Sequence, residues 1–473
     1  MYKLRISLCL LVLSLSSFNA ISEETWSLRR CIDHALANNL FIQQQRNLES
    51  KSGYDLTQSY ASLIPTLQAG SSQGFNYGRT IDRFTNEFAT ERVAFHEMGV
   101  SSEMILFAGF QNINSIRLNV ARNTALRYDT RKMENDLVIS VAMAYLQVLY
   151  FSDMVALAQN QVSLSEAQQN RSEIMFRSGG LSRGGLLEIE AQLARERLNL
   201  LNASNNLKLA RLELMQLLDL DPAEPFEVVY PDTHILESSI LTDPATVYGR
   251  ALRLEPSVLA AESRERAADR YLAITKGERS PRISFFGNLG SGYSEAAKRV
   301  VSQQGTGQFT EIGRTLSGEQ VVRESMNVIT ETIPYRNQIT DNFSRVLMVR
   351  ISMPILNRLQ TRTRVQHARA DLENARLNGE IARNNLSKVI TQAHADATAA
   401  REKYQASLKA KAAFQESFAF AEQRFNAGAL SSLEYNEAKN RLVQSETEMI
   451  QAKFEYIFKA RVLGFYQGQG FEL

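Results

Sequence analysis

Apolar and polar residues alternate in four short stretches of the chain. From Leu67 to Tyr77 the odd positions run Leu67, Ala69, Ser71, Gln73, Phe75, Tyr77, and the even positions run Gln68, Gly70, Ser72, Gly74, Asn76. Met98, Val100, Met104 and Leu106 alternate with Glu97, Gly99, Ser101 and Glu103. Ile283, Phe285, Leu289 and Tyr293 alternate with Ser284, Asn288, Gly290 and Gly292, with Phe286 as the exception. Leu347, Val349, Ile351 and Met353 alternate with Met348, Arg350 and Ser352. A period of two with one apolar face predicts a half-buried strand. Each stretch is about 10 residues long, which suits a tilted membrane-crossing strand. Alternation alone fits a soluble sheet packed on helices equally well, and Tyr77 and Tyr293 lean toward an interfacial aromatic girdle.

Elsewhere the pattern is helical. No Gly or Pro occurs from Phe110 to Ser178, and only Gly379 interrupts Leu359 to Ala427. A helix of about 65 residues is about 100 Å long, which predicts coiled-coil-like elements. Leu186, Leu193, Leu200, Leu207 and Leu214 recur every seven residues, as do Tyr435, Leu442, Met449, Tyr456 and Leu463. Ile189, Ala203, Ala210 and Leu217 follow the first line three positions on, and Glu196 breaks it. A seven-residue repeat drives side-by-side packing.

The chain repeats itself. An offset of 216 places Ala35-Leu36 on Ala251-Leu252, Pro65 on Pro281, Gly74 on Gly290 and Tyr77 on Tyr293. An offset of 249 places Leu106 on Ile355, Leu137 on Leu386, Phe176 on Phe425, Gly179 on Gly428 and Leu193 on Leu442. The offsets differ by 33 residues, which locates an insertion between Tyr293 and Ile355. A period this long is one structural unit duplicated, not a solenoid repeat. The division expected is a first unit over 21–221 with a β-hairpin at 67–107, a linker over 222–245, and a second unit over 246–473. The second hairpin, 283–356, carries a long polar loop, 294–342. Pro222, Pro225, Pro231 and Pro244 mark the linker, and Pro256 suits the first turn of a helix.

Composition narrows the class. Residues 1–20 read as a signal peptide: Lys3 and Arg5, an apolar Ile6–Leu15, then small residues to Ala20. A short membrane anchor is the other reading, but this run is too short to span a bilayer. Lys and Arg total 53 against 51 Asp and Glu. Losing Lys3 and Arg5 leaves the mature chain neutral, with no electrostatic case for nucleic acid. Cys9 would leave with the signal peptide, and Cys31 then reads as a small buried hydrophobe. No later apolar run of 18 or more residues predicts a transmembrane helix, which leaves a β-barrel open. The five histidines show no metal-ligand spacing, and no nucleophile elbow or phosphate loop occurs. The expectation is a protein that is not an enzyme and holds no cofactor.

These residues resemble the TolC-like outer-membrane efflux family over nearly the whole mature chain. Trp26-Ser27-Leu28 with Cys31-Ile32, Ala35-Leu36 and Asn38-Asn39 is similar to the family's first helix, and Ala251-Leu252 with Glu255-Pro256 to its second-copy counterpart. Leu63-Ile64-Pro65 resembles the entry to a strand, and Leu106-Phe107-Ala108-Gly109 the exit. Phe176-Arg177-Ser178-Gly179 and Phe425-Asn426-Ala427-Gly428, each followed by a Leu-Ser pair, resemble the tips of helix pairs.

The resemblance implies a membrane protein of mixed α/β class in the outer membrane of a Gram-negative-type cell. It implies a homotrimer, with long antiparallel helices forming an α-helical tube across the periplasm. Four strands per protomer would complete a twelve-stranded barrel, because open strand edges cannot face lipid. The polar strand face, with Glu97, Glu103 and Arg350, would line a watery lumen. The tips Gly179-Gly180-Leu181-Ser182 and Gly428-Ala429-Leu430-Ser431 would meet a periplasmic adaptor bound to an inner-membrane pump. Glu434 and Glu437 occupy positions where the family often carries acidic pore residues. Gly185 stands where the first copy often has one, and Glu188 is the nearest candidate there. A carboxylate ring would favour cations, whereas the bland reading makes these solvated helix charges. The 294–342 loop reads either as a cap over the channel mouth or as a variable surface loop. Two other readings stay open: a protein-secretion channel, and a periplasmic coiled-coil adaptor, which should lack four alternating strands. Drug, metal-ion and protein cargo are indistinguishable in the sequence.

Overall fold

The structure is a computed structural model that describes residues 25–90, 92–231 and 242–471. The signal peptide, Cys9 and His234 lie outside the described residues. The helices are α1 (Leu28–Asn38), α2 (Leu40–Ala61), α3 (Gln111–Arg177), α4 (Arg183–Leu217), α5 (Pro244–Leu254), α6 (Pro256–Gly277), α7 (Tyr335–Asp341), α8 (Gln360–Asn426) and α9 (Ser432–Tyr466). The strands are β1 (Thr66–Asn76), β2 (Thr80–Ile81), β3 (Phe88–Ala89), β4 (Val93–Ala108), β5 (Arg282–Ser294), β6 (Lys298–Arg314), β7 (Gln320–Thr332) and β8 (Ser344–Ser352). Element lengths recur: 11 residues in α1 and α5, 22 in α2 and α6, 67 in α3 and α8, 35 in α4 and α9. Pro244 and Pro256 both open helices, where a missing N–H costs nothing, and Asp243 caps the first of them through Ala245 N.

The chain forms two compact units, each gathered from both halves of the sequence. One comprises residues 25–53, 121–265 and 374–471 among those described, and the other residues 54–120 and 266–373. Packing cuts across the sequence repeat because the long helices of both copies share one unit and the strands of both copies share the other.

In the helical unit the largest core cluster gathers Val141, Tyr145, Val148 and Leu149 of α3, Leu214 of α4, Phe454 and Ile457 of α9, and Cys31 and Ala35 of α1. A second cluster contains Val247, Ala251, Leu386, Ile390 and Leu463. The offset of 216 carries Cys31 onto Val247, so the cysteine fills an aliphatic position, and burial pushes its thiol pKa up to about 12. The Tyr145 hydroxyl donates to the carbonyls of Trp26 and Val229, stitching the start of the described chain to the segment after α4. Trp26 and Val228 form a parallel bridge there.

The expectation about membrane-spanning helices needs a correction. α3 holds an 18-residue stretch apolar enough to cross a membrane by length and composition. No charge occurs between Asp136 and Asp153, and Val141, Tyr145, Val148 and Leu149 in that interval are fully buried in the first core cluster. Those positions are apolar because one side of the helix packs into that core, whereas Met143 faces outward.

In the other unit, β1, β4, β5 and β8 form a four-stranded antiparallel sheet in that order. Leu106 leaves the alternation expected of it: a bulge between Ile105 and Phe107 drops it from the ladder, and Phe107 pairs with Ile283 instead. The 294–342 segment is more than a loop. β6 and β7 form a separate two-stranded ribbon, turned at Thr315–Gly318. Its β-branched residues Val321, Val322, Val328, Ile329 and Thr330 favour strand. β5 outruns β8, whose last partner is Gly290. α7 covers the exposed edge: Gln338 accepts from Ser294 N and donates to Ser294 O, and Asn342 donates to Gly292 O. These side chains satisfy backbone groups that a longer β8 would have paired.

Candidate functional site

The sheet register decides which side chains share a face. Opposite residues in an antiparallel pair point the same way. Ser72 faces Glu97, Glu97 faces Gly292, Glu103 faces Phe286, and Ser284 faces Arg350. So Glu97, Glu103 and Arg350 lie on one face together with Gln68, Ser101 and Asn288. Several of these polar residues line an open cavity of about 660 Å³. Arg83, from the segment joining β1 to β4, reaches over this face and donates to Glu97 at 2.7 Å. Glu103 and Arg350 are exposed. The opposite face carries Leu67, Val100, Phe285, Leu347, Val349 and Ile351, all exposed in the single chain. β1 and β8 are the sheet edges, and among the described residues neither has a second strand beside it.

The helix tips are built alike. Gly179 and Gly428 have φ of 78° and 72°, a backbone state that a Cβ penalises. Gly180 N donates to Met175 O and Gly179 N to Phe176 O; Ala429 N donates to Arg424 O and Gly428 N to Phe425 O. These bonds close the ends of α3 and α8 in Schellman motifs. Ser182 then caps α4 by accepting from Gly185 N, and Ser431 caps α9 by accepting from Glu434 N. Leu181 and Leu430 are half-buried. Leu430 packs against the cluster formed by Phe418, Phe425, Tyr435 and Leu442. A Cβ on Gly185 would come within 2.9 Å of Leu181 Cδ1, so glycine stands there to admit that leucine.

The three candidate pore carboxylates differ in setting. Glu434 completes a capping box, accepting from Ser431 N at 3.0 Å and Ser431 Oγ at 2.8 Å. Those bonds hold its carboxyl below the usual Glu value. Glu188 accepts from Ser432 Oγ at 3.1 Å, which joins α4 to the second tip. Glu437 is exposed on α9.

One polar cluster escaped sequence reasoning. Lys439 and Glu196 are buried, with Nζ 3.7 Å from Oε1. Lys439 donates to Ser165 Oγ at 2.6 Å, and Gln192 donates to Glu196. Burial pulls the Lys439 ammonium below the usual lysine value, against the pull of Glu196. The signal was the break at Glu196 in the apolar seam, and its partner lies 243 positions on in another helix.

The model of the outer membrane efflux protein family matches residues 31–219 and 247–457. The chain belongs to the outer membrane efflux protein family. Toxin and drug export protein A of Aggregatibacter actinomycetemcomitans is 20% identical over 430 residues, covering 91% of this chain and 83% of that protein. The outer membrane efflux protein BepC of Brucella suis is 21% identical over 375 residues, covering 79% and 72%. The solved outer membrane protein VceC of Vibrio cholerae has a TM-score of 0.73 at 12% identity, covering 94% of this chain and 97% of that one. This chain is therefore an outer-membrane efflux protein, and its fold is that of VceC.

Proposed function

We propose that this efflux-family chain works as a homotrimeric exit duct that passively conducts cargo handed over by a periplasmic adaptor and an inner-membrane pump. The observation that carries the reading is the four-stranded sheet with two unpaired edges, one face bearing Glu97, Glu103 and Arg350, and an opposite, largely apolar face that is exposed. Open edges are untenable in lipid, and three such sheets end to end remove every edge in a twelve-stranded barrel. The apolar face then meets outer-membrane lipid, and the face with Glu97, Glu103 and Arg350 meets water. Measuring the mass of the protein extracted in mild detergent tests this: a trimer is expected, and a monomer overturns it.

The tips Gly179–Ser182 and Gly428–Ser431 are the proposed adaptor contacts, supported by their matched Schellman geometry. Because Leu181 and Leu430 are half-buried against their own tips, the contact uses the exposed glycines and serines more than these leucines. Glu188, Glu434 and Glu437 are proposed to form an acidic zone around the pore that favours cations. Single-channel recordings of a Glu434→Gln/Glu437→Gln variant should show weaker cation preference, and an unchanged preference removes the acidic zone from the account. The A. actinomycetemcomitans relative is named for toxin and drug export together, which supports drugs and proteins as cargo classes.

A further inference from the structure

The two sequence offsets hold residue by residue in the strand register. In the first hairpin Thr66 lies opposite Glu103 and Gly74 opposite Phe95. Moving β1 forward by 216 and β4 by 249 turns these pairs into Arg282–Ser352 and Gly290–Ser344, which are the two end pairs of β5 with β8. The second hairpin is therefore the first one carried over without a slip.

The chain contains a third pairing, β4 with β5, which joins the two copies of the unit. Carrying β4 forward by 249 gives β8, and carrying β5 back by 216 gives β1. These are the two edges of the sheet, so the operation describes a contact that one chain does not make with itself. We propose that β8 of one copy pairs antiparallel with β1 of the next in the register that sets Arg350 opposite Ser72, and that Arg350 thereby reaches Glu97 of the neighbouring copy. Ser101–Asn288 becomes Arg350–Ser72, Met98–Ser291 becomes Leu347–Phe75, and Glu103–Phe286 becomes Ser352–Gly70. The inference rests on the trimeric reading above and adds to it which residues meet.

Two observations independent of the repeat select the same register. The first is the face. Even-numbered residues of β1 and of β8 share the polar face, and this register sets even against even. A one-residue slip would turn the apolar side chains of one copy into the lumen. The second is charge. Arg350 is exposed on the polar face and has no hydrogen-bond or ion-pair partner among the described residues. Ser72 lies opposite Glu97 within its own chain, and Glu97 accepts from Arg83 through Oε1 alone, which leaves Oε2 for a second cation. The proposed register therefore places Arg350 in one row with Ser72 and Glu97 of the neighbouring copy. The two charged residues are then two strand spacings apart, about 10 Å between backbones, with only the small Ser72 between. Extended Arg and Glu side chains close that gap. A slip by two residues preserves the faces but puts Gly70 and Gly99, or Gly74 and Phe95, in the row of Arg350, and leaves the guanidinium without a carboxylate. On the lipid side the same register makes neighbours of Leu347 and Phe75, which are 76% and 51% exposed in the single chain.

The test is disulfide trapping. Opposite residues in an antiparallel pair have Cα atoms about 4.5–5.5 Å apart, within the range of about 4.4–6.8 Å that a disulfide spans. A two-residue slip moves them to about 7–8 Å, beyond it. Cys31 can stay, because it is buried and its thiol is pushed up to about 12. Oxidation of membranes holding an Arg350→Cys/Ser72→Cys variant should convert most of the chain to a covalent trimer on denaturing gels. Arg350→Cys/Gly70→Cys and Arg350→Cys/Gly74→Cys should give at least tenfold less. A Leu347→Cys/Phe75→Cys variant reads the same register from the other face with Arg350 intact, and should also trap. Better trapping at Gly70 or Gly74, or no trapping at either proposed pair in a protein that is trimeric by mass, overturns the register and leaves the trimer standing. A monomeric mass for the unmodified protein overturns both.

Discussion

At the scale of single residues, the buried Lys439–Glu196 pair carries the sharpest expectation. Both side chains are almost fully removed from water. Removing one partner leaves the other as an uncompensated buried charge, at a cost of about 3–5 kcal/mol. Lys439→Met should therefore lower the thermal midpoint sharply, and a Lys439→Met/Glu196→Leu double variant should recover most of the loss. Equal midpoints for the single and double variants would show that the charges do not compensate each other. Glu434 behaves differently because it is exposed. Its carboxyl is held below the usual Glu value by Ser431, so the cap it adds is complete above that value and is lost as pH falls through the lower folded one. Hydrogen exchange at residues 431–436 should show less protection in Glu434→Gln than in the parent at neutral pH, and the two should converge in acid. The sequence showed Glu196 only as a fault in a seven-residue seam. Lys439 gave no signal, because which charge meets a buried one is set by how α9 packs on α4, and periodicity does not encode that.

At the scale of elements, what the sequence revealed depended on how local the cause was. Of the two seven-residue lines, Leu186, Leu193, Leu214, Tyr435, Leu442, Tyr456 and Leu463 are buried and Leu200, Leu207 and Met449 half-buried, since a heptad is a property of one helix. The tips were legible for the same reason: a glycine followed by a capping serine is local chemistry. Gly179→Ala or Gly428→Ala should cost about 1–2 kcal/mol through the positive φ alone, since no atom crowds either Cβ position. Faster hydrogen exchange confined to 174–186 or 423–435 is the expected readout, and unchanged exchange would mean that the tips are already open. The bulge at Leu106 and the ribbon of β6 with β7 were not legible. A bulge breaks parity without leaving a mark in composition, and a polar ribbon resembles a loop. Every partner of β6 in the ladder comes from β7. Deletion of 301–328 should therefore leave assembly and conductance unchanged, as a surface feature would, whereas raised conductance would make the ribbon a cap.

At the scale of the whole molecule, unpaired strand edges decide the architecture. Within one chain, β1 and β8 expose backbone donors and acceptors beside a broad apolar face, an arrangement stable in neither water nor lipid. The sequence could not say whether such strands belong to a soluble sheet or a barrel, because both demand the same alternation. Sheet order supplies what alternation lacks: four strands in one open sheet, with Gln68, Ser72, Glu97, Ser101, Glu103, Asn288 and Arg350 on one side. Membership of the outer membrane efflux protein family places the protein in the outer membrane. Electron microscopy of the detergent-extracted protein tests this claim most directly. A threefold particle with one closed twelve-stranded barrel is expected, while a particle without threefold symmetry, or one whose sheets remain open, would contradict the trimeric duct.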